Sequence, residues 1–260
     1  MTKQMLIYES VVPVTFQRHG DVSIEATRDY GFSANVTAVP LMAVEMAAAA
    51  AEYAIVFTEV GDDVLPAAVL GMRGVHNVYV SSDSHWTARY IPAFIRRYPF
   101  VFASTPDGKG LAVCIDESHP GVNREGRGEK LFTHDGKPTA YVRQVMQFLR
   151  EYQAHFERTR RFGKKVRDLG LLESVQAQVT SPRGARLTMS GMQCVSRRKL
   201  RELGPEALAE LARADELELL YLQMFSLRNF TSMKDRLIGR LKEDAQAAAM
   251  EREEVPQLVS

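Results

Sequence analysis

Apolar residues recur along this chain with two different periods, which divide it into a strand-rich first part and a helix-rich second part. In the first part, short apolar runs bounded by Gly, Pro and Asp are typical of strands. They predict strands over residues 5–16, 21–24, 54–60, 65–72, 76–82, 98–104 and 108–116. Residues 40–53 begin with Pro and are rich in Ala, which predicts a helix, and residues 90–97 predict a short helix.

Helical spacing dominates from residue 138 onward. One apolar face predicts the longest helix over 138–169, with Gly163 as a mild interruption. Beyond it the pattern predicts a hairpin over 175–195, helices over 196–203 and 205–212, a mixed helix or strand signal over 216–225, and a last helix from about Asn229. The order predicts an α+β fold: a mixed, largely antiparallel sheet with packed helices, one of them long and in the second half. We expect one domain over 1–260, with a subdivision near 137 into a β-rich part (1–137) and a helix-rich part (138–260).

Composition narrows the class of protein. Hydrophobic residues make up 45 % of the 260 residues, enough for a sizeable core, and the formal net charge of +1 favours no particular charged partner. Cys114 and Cys194 lie in apolar runs and are predicted to be buried thiols. No apolar stretch approaches 18 residues, so the sequence predicts no membrane span, which excludes a transmembrane permease. The start lacks a signal-peptide pattern, which predicts a cytoplasmic location and leaves export without a cleaved signal open.

The most specific stretch is Arg89–Phe100, RYIPAFIRRYPF, which resembles the hallmark of the bacterial SapC family. Further segments resemble family motifs in the same order along nearly the whole chain. They are Val39–Leu41 with Glu45, Tyr53–Phe57, Leu70–Arg73 with Asn77, Cys114–Glu117, Leu131-Phe132 with Asp135-Gly136, Leu169–Leu172, Ser190-Gly191, and Ser226-Leu227 with Asn229. The chain departs from the family pattern at Val195–Leu200 and in the unusually basic segment 157–167. The resemblance implies an association with bacterial surface layers and their secretion.

The hallmark stretch holds two adjacent arginines, for which two interpretations are open. Arg96 and Arg97, followed by Tyr98, form a candidate binding site, because paired guanidinium groups beside aromatic rings can hold a carboxylate or a phosphate. In the structural interpretation one arginine is fixed by an acid, with Asp116 the best candidate and Glu117 the next. Glu45 and Asp116 complete the candidate binding residues of this region.

Two further sites have weaker support. His19, Glu45 and Asp116 are weak candidates for metal ligands, but no ligand spacing gathers them, so no metal site is predicted and the cofactor is unknown. In the basic part of the long helix, Arg160 and Lys164 are candidates for binding an anionic ligand, and a solvated helix face is the alternative. Stacking aromatic residues and nucleic-acid motifs are lacking, which disfavours nucleic acid as a partner.

The leading hypothesis is therefore an accessory or interaction protein of surface-layer or envelope biogenesis that binds a protein partner. The alternative is an enzyme, such as a metal-dependent oxygenase or a peptide-modifying factor, with its pocket near Arg96 and Arg97. A deep pocket with two convergent carboxylates or histidines would favour the enzyme.

Overall fold

A computed structural model describes residues 6–72, 77–105, 110–180, 184 and 186–253. The strands are β1 (Val11–Pro13), β2 (Ser23–Ile24), β3 (Ala38–Pro40), β4 (Ala54–Val60), β5 (Asp63–Val69), β6 (Phe100–Ser104), β7 (Leu111–Asp116), β8 (Val122–Asn123), β9 (Glu129–Lys130), β10 (Leu172–Thr180) and β11 (Arg186–Val195). The helices are α1 (Phe16–His19), α2 (Met46–Ala49), α3 (Ala93–Arg96), α4 (Ala140–Asp168), α5 (Arg197–Arg201), α6 (Pro205–Arg213), α7 (Glu216–Ser226) and α8 (Asn229–Glu253). Single 3-10 turns span Gly31–Ser33 and Ala43–Glu45.

The strands form three antiparallel sheets, which confirms the α+β class. A five-stranded sheet has the order β10-β11-β4-β5-β3, and two three-stranded sheets have the orders β1-β7-β6 and β8-β2-β9. Strands from both sides of residue 137 share the largest sheet, where Gln193 of β11 lies opposite Phe57 of β4. Each described pairing between named strands is antiparallel.

Several predicted elements are shorter than expected or of another type. The strand expected over 5–16 reduces to β1, and helix α1 follows it directly. The helix expected over 40–53 reduces to a 3-10 turn and α2. Strands β3 and β4 pair with the two opposite sides of β5, so the segment between them must connect these two sides over a short distance.

Two segments have a different structure from the prediction. The segment 76–82 forms no strand in its described part, where the Asn77 side chain accepts a hydrogen bond from the Tyr79 amide at 3.0 Å and favours a turn over a ladder. The mixed signal over 216–225 resolves as helix α7. The segments Thr-Pro-Asp-Gly at 105–108 and Ser-Pro-Arg-Gly at 181–184 are typical of turns, and they fall mostly outside the described residues.

The long helix α4 confirms the prediction over 138–169 and runs across the largest sheet. Thr139 caps its first turn by accepting a hydrogen bond from the Val142 amide. Gly163 is a contact point rather than a flaw, since a β-carbon there would lie 1.8 Å from the Val64 carbonyl oxygen of β5. The missing side chain lets the helix approach the strand backbone.

Two sequence predictions concern the interior and the membrane. Cys114 and Cys194 are buried free thiols, as predicted. In the part of the chain that the structure describes, no helix has the length and apolar character needed to cross a membrane.

Candidate functional site

The hallmark segment folds as a single helical turn that points its two arginines to different environments. Phe94 and Ile95 of α3 are fully buried, which anchors the turn in the core. Arg96 is exposed and lies over the rings of Tyr90 and Phe148, with its guanidinium carbon 5.9 and 5.6 Å from their centroids. Arg97 is only 3 % exposed. The two guanidinium groups therefore lie in different environments.

Arg97 is inserted among aromatic rings. Its guanidinium carbon lies 4.3 Å from the ring centroid of Phe94, 4.9 Å from that of Tyr152 and 5.6 Å from that of Tyr8. Burial raises the pKa of Tyr152 to about 12, and the nearby Arg97 charge opposes the rise. Each ring face offers the cation a favourable electrostatic contact, which supports the structural interpretation of Arg97.

Glu45 is a second buried charge, and it holds the hallmark segment in place. Its carboxylate accepts hydrogen bonds from the Tyr90 hydroxyl and the Ala93 amide, both at 2.6 Å, and from the Met42 amide at 2.8 Å. Burial raises the pKa of Tyr90 above its ordinary value, and the bond to Glu45 adds to the rise. Glu45 thus stabilises the entry into α3 and has little capacity left for a ligand.

Asp116 is fully buried at the end of β7, and its partners are not the predicted arginines. It accepts hydrogen bonds from the amides of Glu9 (2.7 Å), Ser10 (3.0 Å) and Ser118 (3.0 Å), and from the Ser118 hydroxyl (2.7 Å). Burial alone would raise the pKa of Asp116, but the bonds from the Ser118 hydroxyl and from these amides outweigh it and the pKa is lowered.

The predicted acid partners of the two arginines are therefore wrong. Among the described residues Asp116 makes no ion pair. Glu117, the other candidate, pairs instead with Arg18, whose Nε lies 2.8 Å from its carboxylate. The hydrogen-bonded Arg18 guanidinium lowers the pKa of Glu117.

An open groove of about 510 Å³ lies where the two arginines meet α4, and we call it the Arg96 groove. Its wall is rich in aromatic rings, with a few polar groups among them. The lining residues are Thr27, Asp29, Tyr30, Phe32, Ile95, Arg96, Arg97, Tyr98, Phe100, His119, Tyr141, Gln144, Val145 and Phe148. Tyr98, a predicted site residue, stacks on Phe32 with ring centroids 4.0 Å apart. Burial raises the pKa of Tyr98 to about 12, and the Ser118 hydroxyl opposes this rise.

His119 is the histidine of the groove, and it lies in a polar segment where a histidine gives no signal for a site in the sequence. Its Nδ1 accepts a hydrogen bond from the Gly121 amide at 3.0 Å, so the neutral ring carries its proton on Nε2. Burial lowers the pKa of His119, while Asp116 and Asp29 oppose the shift. The groove therefore presents a neutral imidazole beside the arginines.

The other residues of the Arg96 groove come from segments that lie far apart in the sequence, so the sequence pattern did not predict them as one site. Tyr141, Val145 and Phe148 follow one another at helical spacing on α4, and this second apolar stripe was the available signal. Tyr30 and Phe32 lie at a 3-10 turn that no pattern in the sequence marks.

The weak metal candidates do not come together. Glu45 bonds to Tyr90 and to backbone amides, Asp116 bonds near the chain start, and His19 lies 3.3 Å from Glu117 through its Nε2. Within the described ranges, no three His, Cys, Asp or Glu side chains gather in an arrangement that could hold a metal ion.

The basic face of α4 is largely engaged in ion pairs within the chain. Arg160 Nε lies 2.8 Å from Asp63 and Lys164 pairs with Asp168. Lys165 lies 2.8 Å from both Glu210 and Glu216. These contacts fit the alternative of a solvated helix face for Arg160 and Lys164, and the binding of an anionic ligand to this helix stays a prediction.

Comparison with known proteins assigns the chain to a family. No curated protein and no solved structure gave a match. The family model of SapC matches residues 14–233, which include the hallmark segment, Glu45, Asp116 and every residue that lines the Arg96 groove. The match spans 220 residues (233 − 14 + 1), well over half of the chain, so this protein belongs to the SapC family.

Proposed function

We propose that this SapC-family protein is a non-enzymatic interaction protein of bacterial surface-layer or envelope biogenesis, and that the Arg96 groove binds a segment of its protein partner. The resemblance drawn from the hallmark motifs supplies the link with surface layers. The observation that carries the docking role is the position of Arg96, which is exposed and lies over Tyr90 and Phe148 at the edge of an aromatic groove.

The groove suits a segment that carries a carboxylate next to an aromatic or aliphatic side chain. The Arg96 guanidinium can donate to the carboxylate, while ring faces such as those of Tyr98 and Phe148 take the apolar side chain. Glu45 and Asp116 accept hydrogen bonds from backbone amides and do not line the groove, and the one carboxylate in its lining, Asp29, accepts a hydrogen bond from the Gly31 amide. We propose the cytoplasm for this encounter, which agrees with the two free thiols.

The enzyme alternative has one observation in its favour and one against it. Asp29 and His119 both line the groove beside Arg97, which brings one carboxylate and one histidine to one site. A neutral histidine that ligates a metal through one nitrogen donates a proton from the other. Here Nδ1 of His119 already accepts the Gly121 amide, so Nε2 keeps the proton and is unsuited to bind a metal. This favours the interaction protein over a metal-dependent oxygenase.

Site-specific photo-crosslinking in bacterial cells tests the proposal. A crosslinking amino acid replaces Gln144, which is exposed in the groove, or Arg150, which is exposed elsewhere on α4. We expect an adduct with a surface-layer or envelope protein from position 144 and not from position 150. Arg96→Glu should reduce the adduct by about tenfold or more, because it replaces attraction by repulsion of the carboxylate. Equal adducts from both positions, or an adduct that Arg96→Glu leaves unchanged, would contradict the proposal.

A further inference from the structure

Strand β10 forms one edge of the five-stranded sheet and leaves one side of its backbone unpaired within the described chain. It spans nine residues, Leu172–Thr180, whereas the strand at the opposite edge, β3, spans only three. A long edge strand presents a row of free amide and carbonyl groups that another strand can pair with.

The usual protections of an edge strand are absent from residues 174–180. The segment SVQAQVT holds no charged residue and no proline. The hairpin contains a bulge between the pairs Val175–Met192 and Ala177–Met189. One residue of β10 lies there opposite two residues of β11, and one of these two is Gly191, with φ +76°. The bulge therefore deforms β11 and leaves the free side of β10 regular.

The same segment reads nearly identically in both directions around Ala177. Gln176 and Gln178 flank it, Val175 and Val179 follow, and Ser174 and Thr180 end the repeat. In an antiparallel pair of identical strands related by a two-fold axis at Ala177, Val175 faces Val179 of the partner subunit, and Gln176 faces Gln178 of the partner subunit. Such a two-fold interface requires a surface that complements itself, and this sequence meets that requirement.

The two faces of β10 are also suited to the pairing. Val175 and Ala177 are partly buried and Val179 is buried, and all three line an apolar groove of about 380 Å³ between the hairpin and α8. Gln176 and Gln178 also border this groove, but they are exposed and alternate with the three apolar residues along the strand, which directs their side chains to the opposite face. Pairing would join the apolar faces of two subunits and place glutamine amides opposite one another, where they can exchange hydrogen bonds.

We propose that two copies of this chain form a dimer through antiparallel pairing of β10, centred on Ala177, so that two five-stranded sheets become one continuous sheet. The occupant of the free edge is a second copy of this chain, because the self-complementary order of side chains favours it over an unrelated strand.

The first test compares charge variants of the full chain by light scattering and sedimentation. The parent should be a dimer. Gln176→Lys with Gln178→Lys places lysines opposite each other twice and should weaken dimerisation by about tenfold or more. Gln176→Glu with Gln178→Lys places unlike charges opposite each other and should retain the dimer. Both positions are exposed, so the fold of each variant can be verified by circular dichroism.

The second test measures the register. Ala177→Cys should form a disulfide between subunits under mild oxidation, because the two Ala177 residues face each other across the axis. Ser174→Cys should not, because it faces Thr180 of the partner subunit. Cys114 and Cys194 are buried, but Cys194 lines the same groove as Ala177, so both cysteine variants also carry Cys194→Ala. Three results would overturn the proposal. The parent chain could be a monomer, even one whose β10 edge pairs with a strand of another protein. The variant with two lysines could remain a dimer, or the two cysteine variants could crosslink equally.

Discussion

At the scale of single residues, the buried acids of this protein are paired with backbone amides and hydroxyl groups instead of cations. Glu45 receives hydrogen bonds from Met42, Tyr90 and Ala93, and Asp116 receives hydrogen bonds from the start of the chain. A carboxylate of this kind stabilises the fold because it satisfies amides that would otherwise be buried without a partner.

Glu45→Ala should therefore lower the free energy of unfolding markedly. The change leaves the Met42 and Ala93 amides without their acceptor, and each orphaned amide costs about 1–3 kcal/mol. Glu52→Ala is the matched control. Glu52 also accepts two amides, those of Arg89 and Tyr90, but it is more exposed, so water can replace it. In urea denaturation, Glu45→Ala should have a much lower free energy of unfolding than Glu52→Ala. An equal loss of unfolding free energy in the two variants would contradict this account.

The sequence identified these acids as notable but could not supply their partners. Glu45 and Asp116 were singled out because they belong to motifs that resemble those of the family. Their hydrogen bonds reach Ala93 and Glu9, which lie far away along the chain. For Asp116, charge complementarity in the sequence favoured an ion pair with Arg96 or Arg97, whereas tertiary packing brought Tyr8 and Tyr152 to Arg97. Periodicity and charge carry no information about such long-range contacts.

At the scale of elements, periodicity was a good guide where one element is long. Helix α4 and the β10–β11 hairpin were predicted with nearly correct bounds, because each repeats its pattern over many residues. Short elements gave mixed results: β4 has its predicted bounds, whereas the strand predicted over 76–82 is wrong in its described part, where the Asn77 side chain favours a turn. The sequence also did not predict the close packing of α4. The sequence pattern made Gly163 an interruption of this helix, whereas in the structure it is the position where α4 contacts β5.

The same substitution in two helices should give opposite results. Gly163→Ala should destabilise the protein by about 1–3 kcal/mol, because the added methyl group overlaps the Val64 carbonyl and forces α4 away from β5. Gly239→Ala in α8 adds a methyl group with no atom within 4 Å, so the better helix propensity of alanine should raise stability by about 0.5–1 kcal/mol. Thermal unfolding of both variants measures the difference. A stabilising Gly163→Ala would show that the contact with Val64 is not tight.

At the scale of the whole molecule, buried polar side chains of the last two helices bind backbone groups in the first part of the chain. Ser226 accepts a hydrogen bond from the Ile55 amide, and Gln223 donates one to the Ile55 carbonyl. Asn229 donates to the carbonyls of Ala50 and Tyr53. Ser226 and Gln223 are fully buried, and Asn229 is 7 % exposed. Separation of the two parts near residue 137 would break all of these hydrogen bonds and expose to water the apolar surface packed around them.

We therefore expect the chain to unfold as one cooperative unit, in spite of its strand-rich and helix-rich parts. Two signals can distinguish the parts. The only tryptophan, Trp86, lies in the first part, and its indole donates to the Tyr53 hydroxyl at 3.0 Å, so its fluorescence reports unfolding there. The far-ultraviolet circular dichroism is dominated by helices such as α4 and α8 of the second part.

Both signals should change at the same urea concentration and with the same slope, as required of a two-state transition. Asn229→Ala should shift both midpoints together, because it removes the donor to Ala50 and Tyr53 while its own position lies in α8. Two results would contradict this expectation. The two midpoints could differ in the parent chain, or Asn229→Ala could lower the circular dichroism midpoint and leave the Trp86 midpoint unchanged. Either result would show that the parts on the two sides of residue 137 fold independently.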